Sequence, residues 1–339
     1  MGLLYSKPLE IFNLDFSTEW SPTPKNLRLF RLPLLALLEV FKSLDPIELF
    51  ILSQCSRKTA NCIHIVGSKN WKLSVDVGHK HILINNHYRL IIIESFRNHN
   101  WEYDNNLKTI FLKYQVSKES ELELRKVLAW VQAVFKCPVP TFKHTHWIPQ
   151  SDQCWFSVLK HISQNQIQPL ESLVLRESFK KEDLKWILRN VRVSGKMNIY
   201  STRDNRFTTD FQPTCEQITI HSRVRVNLMK FKSCKYIKLT YSGVTMRDLD
   251  EFMKEWMTGS FPNLQYLSIK KGRINWIDSI LGFKRFEMRQ LDVTRRLVID
   301  ENLWVDCTGG RDIEAVNGTK ATMQMDRETN SFELFVWKE

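Results

Sequence analysis

Two pairs of histidines are spaced so that both rings of each pair would lie on one face of a strand. They are His79 with His81 and His144 with His146, because side chains two residues apart point to the same side of a strand. Imidazole is a common metal ligand, but a zinc site needs three or four ligands. Neither pair has a further Cys, Asp or Glu at ligand spacing, so we predict surface or partly buried histidines and no metal.

The chain contains seven cysteines, an odd number, and none are paired at metal-ligand spacing. Free thiols in a reducing compartment account for them. No cysteine has a neighbouring base that would prepare it for a transferable thioester. The sequence also lacks a phosphate loop, a G-x-G-x-x-G fingerprint and a G-x-S-x-G elbow. We therefore predict neither catalysis nor a cofactor.

Basic residues cluster between Gln217 and Arg247, in a chain with a net charge of +12. This segment contains no acidic residue, so it favours an acidic protein, a phosphate group or a nucleic acid as partner. Its aromatic residues would suit base stacking, but they would suit a strand core equally well. An ordinary solvated face is the alternative. The candidates for contact with a target are Arg223, Arg225, Lys232, Lys235 and Lys238.

The elements that would present such residues begin with a dense helical block over residues 29–66. Leu34, Leu37, Leu38 and Phe41 form an apolar stripe at helical spacing. Asp45-Pro46 has the form of an N-cap followed by proline, and predicts a second helix that is apolar nearly all round. A third helix, about 54–66, is more amphipathic. Three short helices cannot bury all this apolar surface among themselves, so the rest of the chain or a partner must cover it.

After Trp71 the sequence changes to short strands, with one helix at about 121–135. From Glu171 strands and helices alternate, with helices near 181–190 and 246–257. Four strand candidates share an L-x-L pattern, and they begin at Leu173, Ile218, Ile237 and Leu267. Strand and helix in alternation with such strands indicate an irregular leucine-rich-repeat-like domain. Asn317-Gly318 predicts a β-hairpin near the C-terminal end, with residues 331–337 as a further strand.

The predicted fold class is therefore α+β, with a three-helix module, an irregular repeat-like β/α domain and a final antiparallel hairpin or meander. We divide the chain into a tail at 1–25, a helical module at 26–70, a strand-and-helix region at 71–170 and a repeat-like domain at 171–339. The opening Met1-Gly2-Leu3-Leu4-Tyr5-Ser6 matches the myristoylation pattern at Gly2. We find no membrane span or secretory signal and expect a cytoplasmic or nuclear protein.

The helical block resembles an F-box. The matching residues follow the family's order, namely Leu32-Pro33, Val40, Leu44-Asp45-Pro46, Leu49 and Leu52 through Lys58. Two departures are the missing acidic residue after Leu-Pro and Cys55 where valine is common. The resemblance implies that a Skp-type adaptor covers the apolar helices. The residues it implies for adaptor contact are Leu32, Pro33, Val40, Leu44, Pro46, Leu49 and Leu52, with the module's own core as the alternative for each.

Most of residues 120–339 are similar to the type 2 F-box-associated domain of a large family expanded in nematodes. Four segments carry the similarity: Trp130 through Pro138, Trp256 to Ile269, Asp312 through Thr322, and Phe335-Val336-Trp337. The resemblance implies a non-catalytic substrate receptor of an SCF-type cullin-RING ubiquitin ligase, with a target protein bound by the C-terminal domain. The alternatives are a nucleic-acid- or phosphate-binding protein that uses residues 223–247, and an interaction scaffold outside any ligase.

Overall fold

The computed structural model divides into two compact units, Met1–Gln168 and Pro169–Glu339, which we call unit 1 and unit 2. The residues that the structure describes are 31–66, 71–95, 100–115, 120–145, 154–176, 179–201, 206–270, 279–326 and 328–337. Gly2 and His146, which the sequence analysis singled out, lie outside these residues. No helix in the described part of the chain combines the length and the apolar composition that a membrane crossing requires.

Unit 1 begins with three short helices and continues with strands and two longer helices. Its helices are α1 (Leu34–Ser43), α2 (Pro46–Cys55), α3 (Arg57–Val66), α4 (Ser120–Phe135) and α5 (Cys154–Asn165). Its strands are β1 (Leu73–Asp76), β2 (His81–Ile84), β3 (Tyr88–Ser95), β4 (Asn100–Asp104), β5 (Thr109–Gln115) and β6 (Thr141–His144). The strands are ordered β6-β1-β2-β3-β5-β4. The sequence analysis missed β4 and α5.

The start of α2 confirms the predicted N-cap. The Asp45 carboxylate accepts hydrogen bonds from the backbone N–H groups of Ile47 and Glu48, both at 2.8 Å, and Glu48 accepts one in return from the Asp45 N–H at 2.9 Å. Pro46 follows at the first helical position, where its missing N–H is no loss. This reciprocal capping box fixes the point at which the chain turns from α1 into α2.

We expect Asp45→Ala to destabilise the protein by about 0.5–2 kcal/mol, because it removes the acceptor for two N–H groups of the first helical turn. Urea unfolding followed by far-UV circular dichroism would measure the change. Asp45→Asn keeps an acceptor oxygen and serves as the matched control, with a much smaller expected loss. Equal losses for the two variants would contradict a capping role for this side chain.

Unit 2 is built on parallel strands, with two helices and a C-terminal antiparallel part. Its helices are α6 (Lys181–Asn190) and α7 (Met246–Met257). Its strands are β7 (Leu170–Arg176), β8 (Val193–Tyr200), β9 (Thr208–Thr209), β10 (Gln217–His221), β11 (Arg225–Val226), β12 (Tyr236–Thr240), β13 (Tyr266–Lys270), β14 (Gln290–Asp300), β15 (Leu303–Gly309), β16 (Arg311–Glu314), β17 (Lys320–Asp326) and β18 (Ser331–Trp337).

The L-x-L residues form buried rows across the parallel strands β7, β8, β10, β12 and β13. The first row runs in register through Leu173, Met197, Ile218, Ile237 and Leu267. All of these side chains are buried, because each lies on the face that carries the core. Met197 belongs to β8, a strand that the sequence analysis missed, and it divides the longest predicted interval between L-x-L strands into two shorter ones.

The two helices of unit 2 match their predicted bounds. In α7, Thr245 caps the N-terminus in a capping box with Asp248, and Leu249, Phe252 and Met253 are buried. The chain between β10 and β12 holds the short strand β11 and a 3-10 turn at Leu228–Lys230 instead of an α-helix. The helices therefore do not repeat regularly, and the leucine-rich-repeat character of unit 2 stays a prediction.

An antiparallel segment continues the sheet of unit 2 beyond β13. Strand β18 pairs with β13 on one side and β17 on the other, and β16 pairs with β17. This confirms the hairpin predicted from Asn317-Gly318, with Gly318 at φ 82° in the left-handed region that glycine tolerates. A separate hairpin, β14 with β15, was not predicted.

Candidate functional site

Helix α1 exposes two large apolar side chains. Leu34 is 56% exposed and Leu35 is 78% exposed, whereas Leu37 and Phe41 are buried. Within the predicted apolar stripe, Leu37 and Phe41 are therefore buried and Leu38 is half-buried, whereas Leu34, in the first turn of the helix, is exposed. Complete burial of a leucine side chain contributes roughly 1.5–3 kcal/mol of favourable free energy. A partner that covers Leu34 and Leu35 would therefore gain much of that amount from each of them.

The residues implied for adaptor contact divide into two groups by burial. Pro33 is exposed, and Leu32, Val40, Leu44 and Leu52 are half-buried. Pro46 and Leu49 are buried within the chain itself, so their position favours a packing role and leaves them no surface for a partner. Leu34 and Leu35, which the resemblance did not imply for adaptor contact, are exposed large apolar side chains on α1. In the sequence, Leu35 could be recognised as a candidate for partner contact because it is an apolar residue that lies outside the apolar stripe.

Helix α4 covers one side of the three-helix module. The Trp130 indole N–H donates to the Ser53 hydroxyl at 3.1 Å, and His64 Nδ1 lies 2.8 Å from the Ala133 carbonyl oxygen. These contacts join the end of α2 and the end of α3 to α4. We call the exposed or half-buried residues Leu32, Pro33, Leu34, Leu35 and Val40, on and just before α1, the α1 surface.

The basic residues predicted to contact a target do not converge in unit 2. Arg223 and Arg225 follow the carboxyl end of β10, whereas Lys232 and Lys235 precede the amino end of β12. Because β10 and β12 are parallel neighbours, these two groups lie at opposite ends of the strands, roughly 15 Å apart for five residues of β-strand. Lys238 lies between them. The basic residues, which are continuous in the sequence, are therefore divided between two places in the structure.

Acidic residues just outside the basic stretch neutralise part of its charge. The Arg225 guanidinium contacts Asp248 at 3.0 Å, and the Lys235 ammonium contacts Glu216 at 2.9 Å. The ammonium of Lys232 lies 5.9 Å from the centre of the Phe261 ring. Two of the five candidates are thus held by internal ion pairs, which reduces their attraction for an external anion.

The Asp248 carboxyl has an altered pKa. Burial alone would raise its pKa, but hydrogen bonds from Thr245 and the ion pair with Arg225 outweigh burial and lower the pKa below 3.8. A lowered folded-state pKa contributes stability that is present above the unfolded-state value and is lost as pH falls through the folded-state value.

We therefore expect Asp248→Asn to cost about 0.2–1 kcal/mol near pH 7, as for an exposed ion pair. The difference from the wild type should shrink as the pH falls below about 3.8, because the Asp248 carboxyl is then protonated first in the unfolded chain and, at lower pH, in the folded protein. Urea unfolding at several pH values would measure it. Glu251→Gln, which removes the exposed ion pair with Arg247, is a control for general charge loss. A difference that stays constant with pH would contradict the assignment to Asp248.

The first histidine pair forms a small polar cluster in unit 1. The His79 and His81 rings stack at 5.7 Å, and His79 Nδ1 lies 3.1 Å from an oxygen of Asp76. Burial lowers the pKa of His81 and outweighs the opposing effect of Asp76. Among the residues that the structure describes, no group of three or more His, Cys, Asp or Glu side chains could hold a metal ion.

The unpredicted hairpin β14–β15 packs on the sheet of unit 2. Its Leu297 and Cys307 join Tyr236, Tyr266 and Phe335 in one buried cluster. Burial raises the pKa of Tyr266, whose hydroxyl donates to Glu333 at 2.7 Å, so this phenol stays protonated. The cluster anchors the hairpin over the row of sheet residues nearest the amino ends of the parallel strands.

Comparison with known protein families gives two matches. Residues 29–73 match the F-box domain, and residues 206–269 match a family described as F-box associated. The first covers α1, α2 and α3, and the second runs from before β9 through β13. No curated protein and no solved structure matches the chain significantly. F-box proteins are typically non-catalytic adaptors, and this pair of domains suggests, in general, a substrate-receptor adaptor of the SCF type that binds a Skp-type adaptor.

Proposed function

We propose that this chain, an F-box protein with an F-box associated domain, is a substrate receptor of an SCF-type cullin-RING ubiquitin ligase. Its α1 surface and the adjoining Leu44 and Leu52 would bind a Skp-type adaptor, and unit 2 would bind the target protein. The receptor would take no part in the chemistry of ubiquitin transfer.

The observation that carries this proposal is the apolar surface left open on the F-box helices. Leu34 and Leu35 are exposed, Leu32 and Val40 are half-buried, and α4 contacts α2 and α3. An exposed apolar patch on an otherwise well-packed module is typical of a protein-binding site. The F-box match supports a Skp-type adaptor as the partner at that site.

The mechanism would be one of proximity. A receptor that holds a target beside the charged conjugating enzyme converts a bimolecular encounter into a local one, with a high effective concentration of the acceptor lysine. The rate then depends on how long the target stays bound and on which lysines come within reach. No side chain of the receptor has to act as acid, base or nucleophile.

Reconstitution tests the proposal directly. The purified chain is mixed with a Skp-type adaptor, a cullin and a RING subunit, and the complex is analysed by size exclusion. We expect one stoichiometric complex that contains the chain. Separate elution of the chain and the adaptor at micromolar concentrations would reject the proposal and favour a scaffold outside any ligase. Proximity labelling in cells with the proteasome blocked would then identify targets.

A nucleic-acid-binding function is the second candidate, because the net charge of the chain is +12. The structure gives it less support than the sequence did, since Arg225 and Lys235 are in internal ion pairs and the basic residues divide between two ends of the sheet. Salt-sensitive retention of the chain on RNA or DNA would support it. Elution from heparin at low salt would dismiss it.

A further inference from the structure

The polar face of the unit 2 sheet carries an ordered row of side chains at the carboxyl ends of its parallel strands. Arg176 of β7, Tyr200 of β8 and His221 of β10 are neighbours in register. The Arg176 guanidinium lies 5.1 Å from the centre of the Tyr200 ring, and the Tyr200 and His221 rings are 6.1 Å apart. His221 in turn meets the ring of Tyr241 edge to face at 4.9 Å. We call these four residues the aromatic row.

The aromatic row lies on the side of the sheet away from the L-x-L core. Arg176 is exposed, and Tyr200, His221 and Tyr241 are half-buried. Hairpin β14–β15 packs at the other end of this face, where its Asp300 accepts a hydrogen bond from Gln217 at 2.6 Å. The aromatic row therefore presents a partly open surface that is held in place by ring contacts.

The backbone supports this arrangement. Tyr241 has φ 59°, a left-handed conformation that is uncommon for a residue with a bulky side chain. Its N–H donates to the Lys270 carbonyl at 2.9 Å, which ties the turn after β12 to the end of β13. Unusual backbone conformations persist where the surroundings hold them, and they are enriched at binding sites.

The charge of the surface indicates its partner. From β7 to β12 the register row reads Arg176, Tyr200, His221 and Thr240, and it contains no acidic residue. Arg223, in the loop that follows His221, is exposed. Arginine and tyrosine supply donors that suit carboxylate and phosphate oxygens, and a guanidinium can bind both oxygens of one anion.

We propose that the aromatic row is the target-binding site of unit 2 and that it binds a segment of the target with an anionic side chain. The anion can come from Asp or Glu or from a phosphorylated residue, since a planar carboxylate and a tetrahedral phosphate both offer oxygen acceptors to Arg176. The proposal rests on the proposed function of the chain as a substrate receptor, and it names the chemistry of the substrate segment.

The test uses the full chain and an array of immobilised peptides as probe. The array carries random peptides with a central Asp or Glu, a central phosphoserine or phosphothreonine, and neutral counterparts with Asn, Gln, Ser or Thr. We expect the wild type to prefer the anionic peptides, and Arg176→Glu to reduce that binding by about tenfold or more, the effect of losing one charge-assisted contact. The milder Arg176→Gln covers the case in which Arg176→Glu does not fold.

Lys230→Glu is the matched control. It makes the same charge change in unit 2, but at the 3-10 turn near the amino end of β12, and it should bind anionic peptides as the wild type does. The comparison of carboxylate with phosphate peptides identifies the source of the anion. Equal binding by the wild type, Arg176→Gln and Arg176→Glu would overturn the proposal, as would equal binding of neutral peptides. Preferential binding of single-stranded RNA that depends on Arg176 would also overturn it.

Adaptor capture by the same proteins separates the two proposals. All variants of Arg176 should retain a Skp-type adaptor, because the change lies in unit 2. If the adaptor is captured but anionic peptides are not preferred, only the aromatic-row assignment fails. If the wild type captures no adaptor, the receptor function itself fails, whatever the array shows.

Discussion

Replacement of Leu35 by aspartate should weaken capture of a Skp-type adaptor by at least about hundredfold. Leu35 is 78% exposed on α1, so in the free chain the change removes almost no internal packing. In a complex, it would forfeit the burial of a leucine and place an unpaired carboxylate in an apolar contact. Surface plasmon resonance with immobilised adaptor would measure the affinity.

Leu107→Asp is the matched control, because Leu107 is 60% exposed in the turn between β4 and β5 of the same unit. It should leave adaptor affinity unchanged. Far-UV circular dichroism should be native for both variants. If Leu35→Asp retains the adaptor with wild-type affinity, then the α1 surface is not the binding site, and the partly buried Leu44 and Leu52 become the remaining candidates.

Replacement of Phe335 by alanine should destabilise unit 2 by about 3–5 kcal/mol, the usual loss for a buried phenylalanine. Phe335 is fully buried, and its ring lies 5.4 Å from that of Tyr266. It also belongs to the cluster that holds hairpin β14–β15 to the sheet. Urea unfolding would give the stability, and hydrogen exchange should show faster exchange of the hairpin amides.

Val298→Ala is the control for this second variant. Val298 lies on the outer face of the same hairpin, opposite Trp304, and is 64% exposed. Its loss should cost no more than about 0.5 kcal/mol, as for an ordinary surface position. Comparable destabilisation by the two variants would mean that the cluster around Phe335 does not anchor the hairpin.

The elements that sequence reasoning located best are those with a local chemical signal. Thr245 and Asp248 mark the start of α7, Asp45 and Pro46 mark the start of α2, and Asn317-Gly318 marks the hairpin between β16 and β17. Each of these signals acts within a few residues, through a cap or a turn that the side chain itself stabilises. Such interactions are legible in one sequence because they need no distant partner.

The missed elements depend on distant contacts. Strand β8 has the L-x-L positions Met197 and Ile199 but also Gly195, where an added Cβ would lie 2.5 Å from the Glu171 carbonyl oxygen. Glycine weakens a strand prediction, although here it permits a close approach of β7 to β8. Hairpin β14–β15 has no strong turn signal, and it is held by Tyr236, Tyr266 and Phe335 from three other strands.

The candidate sites show the same division. The excess of apolar surface on helices α1 to α3 could be inferred from composition, but which residues face outward could not, because that depends on how α4 packs against Ser53 and His64. The aromatic row was invisible in the sequence, since Arg176, Tyr200, His221 and Tyr241 lie on separate segments. Only the register of the parallel strands brings them together.

The position of β18 affects how the chain folds while it is being synthesised. This strand lies between β13 and β17, so β13 has no neighbour on that side until residues 331–337 have been synthesised. At about 5–20 residues per second, the nascent chain carries this unpaired strand edge for roughly 3–13 seconds. Unpaired edges are the places where chains associate wrongly. We therefore expect newly made copies of this chain to be most prone to wrong association before β18 is inserted.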